Sequence, residues 1–306
     1  MSKKFDARLK EWCEQIDGAL NKIVRTSNYP EEFKEILDYS LFPGGKRLRP
    51  ILFLEWHNLF SPPDENALLF ACGLELMHNY SLIHDDMPCM DNDDVRRGKP
   101  TVHKRYGEGK ALLAGDALLD MAYYCMSDAC CYSKSLKPSA CFSLRGDKGI
   151  LHGQYLDMYS RPKTLEELIG IYKKKTGSLI SSACTTGYLF AQEYDFSDHL
   201  NVLIGGITDD LGIESVDLDL DERTKLIAGA YRFGEAFGIA FQLYDDLSEY
   251  IAGEKSDSAV VTDFLPLDRA KSLLDRYLNT AVKELDRNYN GDTSHLRELV
   301  EKFVIV

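Results

Sequence analysis

Apolar residues recur at steps of three and four through residues 221–251: Leu226, Ala230, Phe233, Phe237, Phe241 and Tyr244. That period puts them on one face of a single long helix, which must bury the stripe against other helices. The same helical pattern runs through nearly the whole chain. Pro30 opens a segment with Glu31 and Glu32 in its first turn, where the helix dipole favours acids, and Pro43-Gly44-Gly45 ends it. Ser61-Pro62-Pro63-Asp64-Glu65 starts another helix, and Gly107 and Gly109 precede a long run from Lys110 to about Cys131. Thr164-Leu165-Glu166-Glu167 is a capping box that begins a helix reaching about Ala191. Residues 205–220 are polar and acidic and read as a loop. Strand alternation and β-hairpin signals are absent, as are internal repeats and low-complexity linkers. The expected fold is all-α, one domain over residues 1–306 built as a single bundle of roughly ten or more long helices.

The net charge of -13 argues against nucleic acid as a partner. Cations nonetheless gather locally, at Lys46, Arg47 and Arg49, at Arg96, Arg97 and Lys99, at Lys104 and Arg105, and at Lys173, Lys174 and Lys175. Such patches on an acidic chain suit small polyanions. No run approaches the roughly 18 apolar residues of a membrane span, and the start, Met1-Ser2-Lys3-Lys4-Phe5-Asp6, lacks the apolar core of a signal peptide. The eight cysteines show no paired CxxC spacing, so buried or free thiols in the cytoplasm are expected, with Cys89 read as packing.

Five aspartates lie within ten residues in His84-Asp85-Asp86-Met87-Pro88-Cys89-Met90-Asp91-Asn92-Asp93-Asp94, and Val95-Arg96-Arg97-Gly98 follows. Carboxylates packed so densely repel one another unless they are fully solvated or hold a cation among them. A charged surface loop accounts for the run as well as a metal site does. Two details favour the metal. The cluster follows an apolar, helix-competent run from Ala71 to Ile83, and Pro88 breaks that helix near Met87. In an unbroken helix Asp85 and Asp91 would lie about 600° apart, on different faces, whereas a local distortion brings both to one metal. Mg²⁺ is the natural ion, because it takes one or two carboxylates together with substrate phosphates. Arg96 and Arg97 add fork-shaped donors that match phosphate oxygens.

A second acidic group stands at Gln242, Asp245 and Glu249, on one helical face with Asp246 flanking it; a metal role and a solvated face are both open. Two Asp-Asp pairs on two helices could converge on one Mg²⁺ cluster. Gly44-Gly45-Lys46-Arg47-Leu48-Arg49-Pro50 offers glycines for close backbone approach and three cations for an anion. His78 lies two helical turns before Asp85 on the same face, and is either structural or part of the same cavity. The glycine of Lys175-Thr176-Gly177 either kinks its helix so that Lys175 points inward or sits in a solvated lysine triplet. No phosphate-binding GxxxxGK[ST] or GxGxxG follows a strand.

Together these segments resemble the trans-type isoprenyl diphosphate synthases, most closely the bacterial short-chain farnesyl and geranylgeranyl diphosphate synthases. The likeness rests on Gly44–Pro50, on Ser81-Leu82-Ile83-His84-Asp85-Asp86 through Arg96-Arg97-Gly98-Lys99-Pro100-Thr101, on Gly115-Asp116-Ala117-Leu118, on Gly153-Gln154-Tyr155-Leu156-Asp157 and on Lys175-Thr176-Gly177-Ser178-Leu179-Ile180. It implies a helical bundle around a deep central cavity, a homodimer, and three Mg²⁺ ions with Mn²⁺ as a substitute. Asp85, Asp91 and Asp245 would be the metal ligands, with Asp86 in support. Arg96, Lys175, Thr176 and Gln242 would hold an allylic diphosphate, and Lys46, Arg49, His78 and Arg97 isopentenyl diphosphate. The implied reaction is ionisation of the allylic C–O bond, condensation and proton loss to the departing diphosphate. Tyr80 and Ser81, one turn below Asp85, would wall the product tunnel and favour a C15 product, with C20 as the alternative.

The second half departs from the family. Family members read Asp-Asp-Ile-Leu-Asp where this chain has Asp245-Asp246-Leu247-Ser248-Glu249, and their following Gly-Lys pair is missing, with Lys255 nearby but not aligned. Residues 192–221 read as an acidic insertion. These departures admit a weakly active enzyme or a non-catalytic partner subunit of another synthase. A terpene cyclase on the same fold fits less well, because it needs no isopentenyl diphosphate pocket and its Asn/Asp-xxx-Ser/Thr-xxx-Glu motif is not matched.

Overall fold

The computed structural model describes residues 2–132, 149–192, 222–253 and 258–305. The predicted insertion at 192–221, apart from Gln192, and Lys255 lie outside these residues. Among the described residues the chain is all-α apart from one short hairpin. Its contacts group it into two compact units, Met1–Leu54 with Pro63–Ser133, and Glu55–Pro62 with Lys134–Val306.

The first unit holds α1 (Lys3–Thr26), α2 (Glu31–Leu41), most of α3 (Leu48–Asn58), α4 (Glu65–Asp85), a hairpin of β1 (Val95–Arg96) and β2 (Lys99–Pro100), α5 (Val102–Tyr106) and α6 (Glu108–Tyr132). Helix α1 is amphipathic and buries Phe5, Trp12, Ile16, Leu20 and Val24. By contrast, α4 is buried on every side from Phe70 to Met77, which makes it the core helix of the unit. Its N-terminus is capped by Asp64, whose carboxylate accepts from Ala67 N at 2.8 Å. Helix α6 packs along α4 through small residues, Ala114, Ala122, Cys125 and Ala129, all buried. The approach is close: a Cβ on Gly73 would sit 2.5 Å from Met126 Cγ and 3.0 Å from the Ala122 carbonyl oxygen.

The hairpin is a regular element that sequence patterning missed. Its turn is Arg97-Gly98, with φ of 52° and 75°, the paired positive values of a type I′ turn. Glycine accepts that conformation readily, and arginine does so only when held.

The second unit holds α7 (Ile150–Tyr159), α8 (Leu165–Tyr172), a π-helical turn (Lys173–Gly177), α9 (Ser178–Phe190), α10 (Glu222–Ala252), a 3-10 turn (Val261–Asp263), α11 (Leu267–Asn288) and α12 (Ser294–Glu301). Thr164 caps α8 by accepting from Glu167 N at 3.2 Å, and Glu167 accepts in turn from Lys163 N at 2.6 Å. Helix α10 packs against both α9 and α11. The predicted stripe is one of its two covered faces. Phe233 meets Trp56 edge-on at 5.3 Å, while Phe237, Phe241 and Tyr244 surround Phe303 at 5.4, 5.2 and 5.3 Å. The other face meets α9 and the π-helical turn at backbone distance: a Cβ on Gly234 would lie 2.4 Å from Ser181 Cα, and one on Gly238 2.5 Å from Gly177 Cα. No helix among the described residues is long and apolar enough to cross a membrane.

Candidate active site

Helix α4 ends at Asp85, and the chain turns back on itself as Pro88 requires. Met87 N donates to the His84 carbonyl at 3.1 Å, Asn92 N to the Met87 carbonyl at 3.1 Å, and Asp91 N to the Asp85 carbonyl at 2.8 Å. Asn92 takes a left-handed backbone, φ 56°, to complete the return. Asp91 thus sits beside Asp85 at the C-terminal end of α4. The helix dipole is negative there, which disfavours carboxylates and favours a cation.

Asp86, Asp93 and Asp94 of the cluster are ion-paired. Asp86 is buried and accepts from Arg96 Nε at 2.6 Å; Asp93 takes Arg96 Nη2 at 3.2 Å; Asp94 pairs with Lys104 at 2.7 Å. Burial pushes the Asp86 carboxyl up to about 6, against the opposing pull of Arg96. Asp86 therefore orients Arg96, while Asp85 is half-buried and Asp91 exposed. Cys89 is exposed and does not pack in the core. Seven cysteines lie among the described residues, none of them in a disulfide.

The Gly44–Pro50 loop offers fewer cations than its sequence promises. Arg47 is buried, at φ 48°, and is committed internally: Nε donates to Asp17 at 2.8 Å, Nη1 to Glu75 at 2.7 Å and Nη2 to the Leu41 carbonyl at 2.8 Å. Lys46 is exposed and Arg49 is buried on either side of it. The glycines serve these arginines. A Cβ on Gly44 would fall 2.1 Å from the Arg47 Cζ, and one on Gly45 2.7 Å from Arg97 Nη2. His78 is drawn into the same neighbourhood, for burial and the charges of Arg49, Arg97, Arg96 and Arg47 hold its pKa well below the ordinary value. It is neutral at pH 7 and retains an acceptor nitrogen. Of the predicted isopentenyl diphosphate group, Arg49 and Arg97 lie near enough to His78 for their charges to act on it, and Lys46 stands three residues before Arg49 on the loop.

Tyr80 is buried one turn before His84 and meets it edge-on at 5.8 Å. Burial, with Tyr123 and Asp85 nearby, pushes its phenol up to about 12. Ser81 is also buried and donates to the His78 carbonyl at 2.9 Å.

In the second unit, the π-helical turn widens the backbone at Lys173–Gly177. Lys175 Nζ donates to Asp157 on α7, and Thr176 Oγ1 donates to Gln242 Oε1 at 3.0 Å. Gln242 Nε2 donates to Asp246 Oδ1 at 3.2 Å, so its amide is fixed at both ends. Asp246 is buried and accepts also from the Tyr172 hydroxyl and from Val261 N at 3.0 Å. Burial raises its pKa, and these three donors oppose the rise. Asp246 is thus an anchor, and its neighbour Asp245 is half-buried while Glu249 is exposed. Thr176, Gln242, Asp246 and Tyr172 form one hydrogen-bonded chain, and Lys175, next to Thr176, pairs with Asp157. Periodicity could not find Tyr172; Asp157 was visible only as part of a motif.

The donor chemistry fits Mg²⁺. Asp85 and Asp91 are hard oxygen donors at a helix end that favours a cation. Among the described residues no three acidic, histidine or cysteine side chains form a ready-made cage. Mg²⁺ does not need one when substrate phosphates and water complete its shell.

The polyprenyl synthetase family pattern matches residues 30–213. A farnesyl diphosphate synthase of Bacillus subtilis is 32% identical over 301 residues, covering 92% of each chain. A chloroplastic geranylgeranyl pyrophosphate synthase 7 of Arabidopsis thaliana is 32% identical, covering 93% of this chain and 78% of its own. Among solved structures, a geranyltransferase from Legionella pneumophila superposes with a TM-score of 0.81 at 25% identity, over 98% of this chain and 96% of its own.

Proposed function

This chain belongs to the polyprenyl synthetase family and is a prenyltransferase of the farnesyl/geranylgeranyl diphosphate synthase type, and on that premise we propose that it condenses isopentenyl diphosphate with dimethylallyl or geranyl diphosphate to give farnesyl diphosphate. The observation that carries this reading is the return of Asp91 onto the end of α4 beside Asp85, with Asp86 holding Arg96 alongside.

In the proposed reaction Asp85, Asp91 and Asp245 would hold Mg²⁺, and the ion would supply charge stabilisation for the leaving diphosphate. Arg96, Lys175, Thr176 and Gln242 bind that allylic diphosphate. Lys175 and Gln242 are preset by Asp157 and Asp246, so little ordering is needed when substrate arrives. Lys46, Arg49, His78 and Arg97 grip the diphosphate of the second substrate and hold its double bond for attack on the allylic carbon. The neutral His78 adds a hydrogen-bonding group and no further positive charge to this cluster. The proton lost from the condensed product passes to the departed diphosphate, so no side-chain base is required. Tyr80 and Ser81 wall the apolar tunnel, and the bulk of Tyr80 supports C15 over C20.

Both units serve one cytoplasmic synthase domain, and the enzyme works as a homodimer. Leu112, Leu113, Tyr123 and Tyr124 on α6 leave an exposed apolar face that supports the pairing. The test is a product assay. Protein, Mg²⁺ and isopentenyl diphosphate are incubated with dimethylallyl, geranyl or farnesyl diphosphate, and the dephosphorylated products are read by mass spectrometry. A C15 alcohol from the first two primers supports the reading, and a C20 alcohol moves it to geranylgeranyl diphosphate synthase. No elongation from folded protein overturns it in favour of a non-catalytic partner subunit.

A further inference from the structure

A buried polar chain runs through the first unit behind the basic residues assigned to isopentenyl diphosphate. It begins at Asp17 and Arg47, passes through Glu75 and Asn79 on α4, and ends at Arg97 on the hairpin. One oxygen, Glu75 Oε1, accepts from both Arg47 Nη1 at 2.7 Å and Asn79 Nδ2 at 3.0 Å. Asn79 Nδ2 also donates to the Glu75 carbonyl at 2.8 Å, which fixes the amide and turns its Oδ1 towards Arg97 Nη1 at 3.5 Å. Glu75 and Asn79 are 1% and 2% exposed. Asn79 also lines a cleft with Asp86, Arg96, Arg97, Lys99 and Thr101.

Two features of this chain bear on geometry more than on stability. Arg47 and Arg97 both hold left-handed backbones, φ 48° and 52°, which a non-glycine residue keeps only where its surroundings enforce them. A buried ion pair such as Arg47–Glu75 adds little net stability over apolar packing, so its value lies in specifying an arrangement. Arg47 sits between Lys46 and Arg49, so its anchor sets the direction of both. Arg97 lies against Gly45 of the same loop, where a Cβ would meet its guanidinium.

We propose that Glu75 and Asn79 are positioning residues that lock the loop bearing Lys46 and Arg49 to the hairpin bearing Arg97, and so preset the isopentenyl diphosphate grip; this rests on the assignment of those cations to that substrate. The amide at position 79 is chemically apt. It orients Arg97 through a neutral acceptor and leaves the full positive charge for the diphosphate. A carboxylate there would neutralise Arg97 and repel Glu75.

The test compares Asn79→Leu, Arg97→Ala and the double variant by steady-state kinetics for each substrate, with thermal melting as a check on folding. Loss of a hydrogen bond to a charged group predicts that Asn79→Leu raises KM for isopentenyl diphosphate about tenfold. KM for the allylic substrate and kcat should stay within twofold. The double variant should bind isopentenyl diphosphate no worse than Arg97→Ala alone, because Asn79 acts through Arg97. If leucine prevents folding, Asn79→Ala takes its place. Additive losses, equal rises in both KM values, or an unchanged KM for isopentenyl diphosphate overturn the positioning role. If Arg97→Ala itself leaves that KM unchanged, the assignment of the site fails first, and the two failures are told apart.

Discussion

Gly153→Ala tests how closely the π-helical turn depends on its neighbour. A Cβ at Gly153 would lie 2.2 Å from Lys175 N, 2.4 Å from Lys175 Cα and 2.6 Å from the Lys174 carbonyl carbon. All three are backbone atoms, so no side chain can swing aside. Ordinary contact begins at 3.4 Å, so the turn must retreat by about 1.2 Å, more than the ~1 Å misplacement that can cost roughly 10²-fold in rate. Overpacking of this kind costs up to about 3 kcal/mol, and alanine in a helix returns about 1 kcal/mol, for a net loss of about 2 kcal/mol. In a chain of this length that lowers Tm by about 3 °C. Gly170→Ala on α8 is the internal control, since nothing lies within 4 Å of its Cβ. It should raise Tm slightly and leave turnover alone. Differential scanning calorimetry and kcat/KM for the allylic substrate report both quantities. If Gly153→Ala matches Gly170→Ala in Tm and in kcat/KM, Lys175 is not held by this contact.

Three further predictions concern the first unit. Arg47→Met should destabilise the protein by about 3–5 kcal/mol, because it strands the buried Glu75 carboxylate. Chemical denaturation measures this, and a loss below about 1 kcal/mol would show the pair to be dispensable. Tyr80→Ala should lengthen the product to C20 or beyond, as read by mass spectrometry, and an unchanged C15 product would remove Tyr80 from the tunnel wall. His78, held neutral by burial and four arginines, should show no NMR titration of its ring protons between pH 6 and 8; a midpoint near 6.5 would mean that those charges do not reach it.

What the sequence discloses here is mostly local. Pro88 lies between Asp85 and Asp91, three residues from each, and the steric rule for proline alone predicts the break. The capping box at Thr164 and the stripe on α10 are likewise set by residues a few positions apart. What escapes is long-range. Arg47 reads as one more cation for an anion, because its partners Asp17 and Glu75 are 30 and 28 residues away. Gly153 and Gly238 carry no pattern of their own, since each is fixed by a backbone that reaches it from another helix. The Arg97-Gly98 turn has only two-residue strands beside it, too short for any alternation to show. Asp246 looks like a second metal ligand beside Asp245, and its role as an anchor for Tyr172, Gln242 and Val261 emerges only once those partners are placed.

The most direct measurement is release of inorganic diphosphate from geranyl diphosphate, with and without Mg²⁺ and isopentenyl diphosphate, in the native chain and in Asp85→Ala. The account predicts one diphosphate released per C15 product, only when both Mg²⁺ and isopentenyl diphosphate are present, and loss of release in Asp85→Ala with the helical circular dichroism signal intact. Release that ignores Mg²⁺ or Asp85 would contradict the metal assignment, and release without isopentenyl diphosphate would contradict a condensing prenyltransferase.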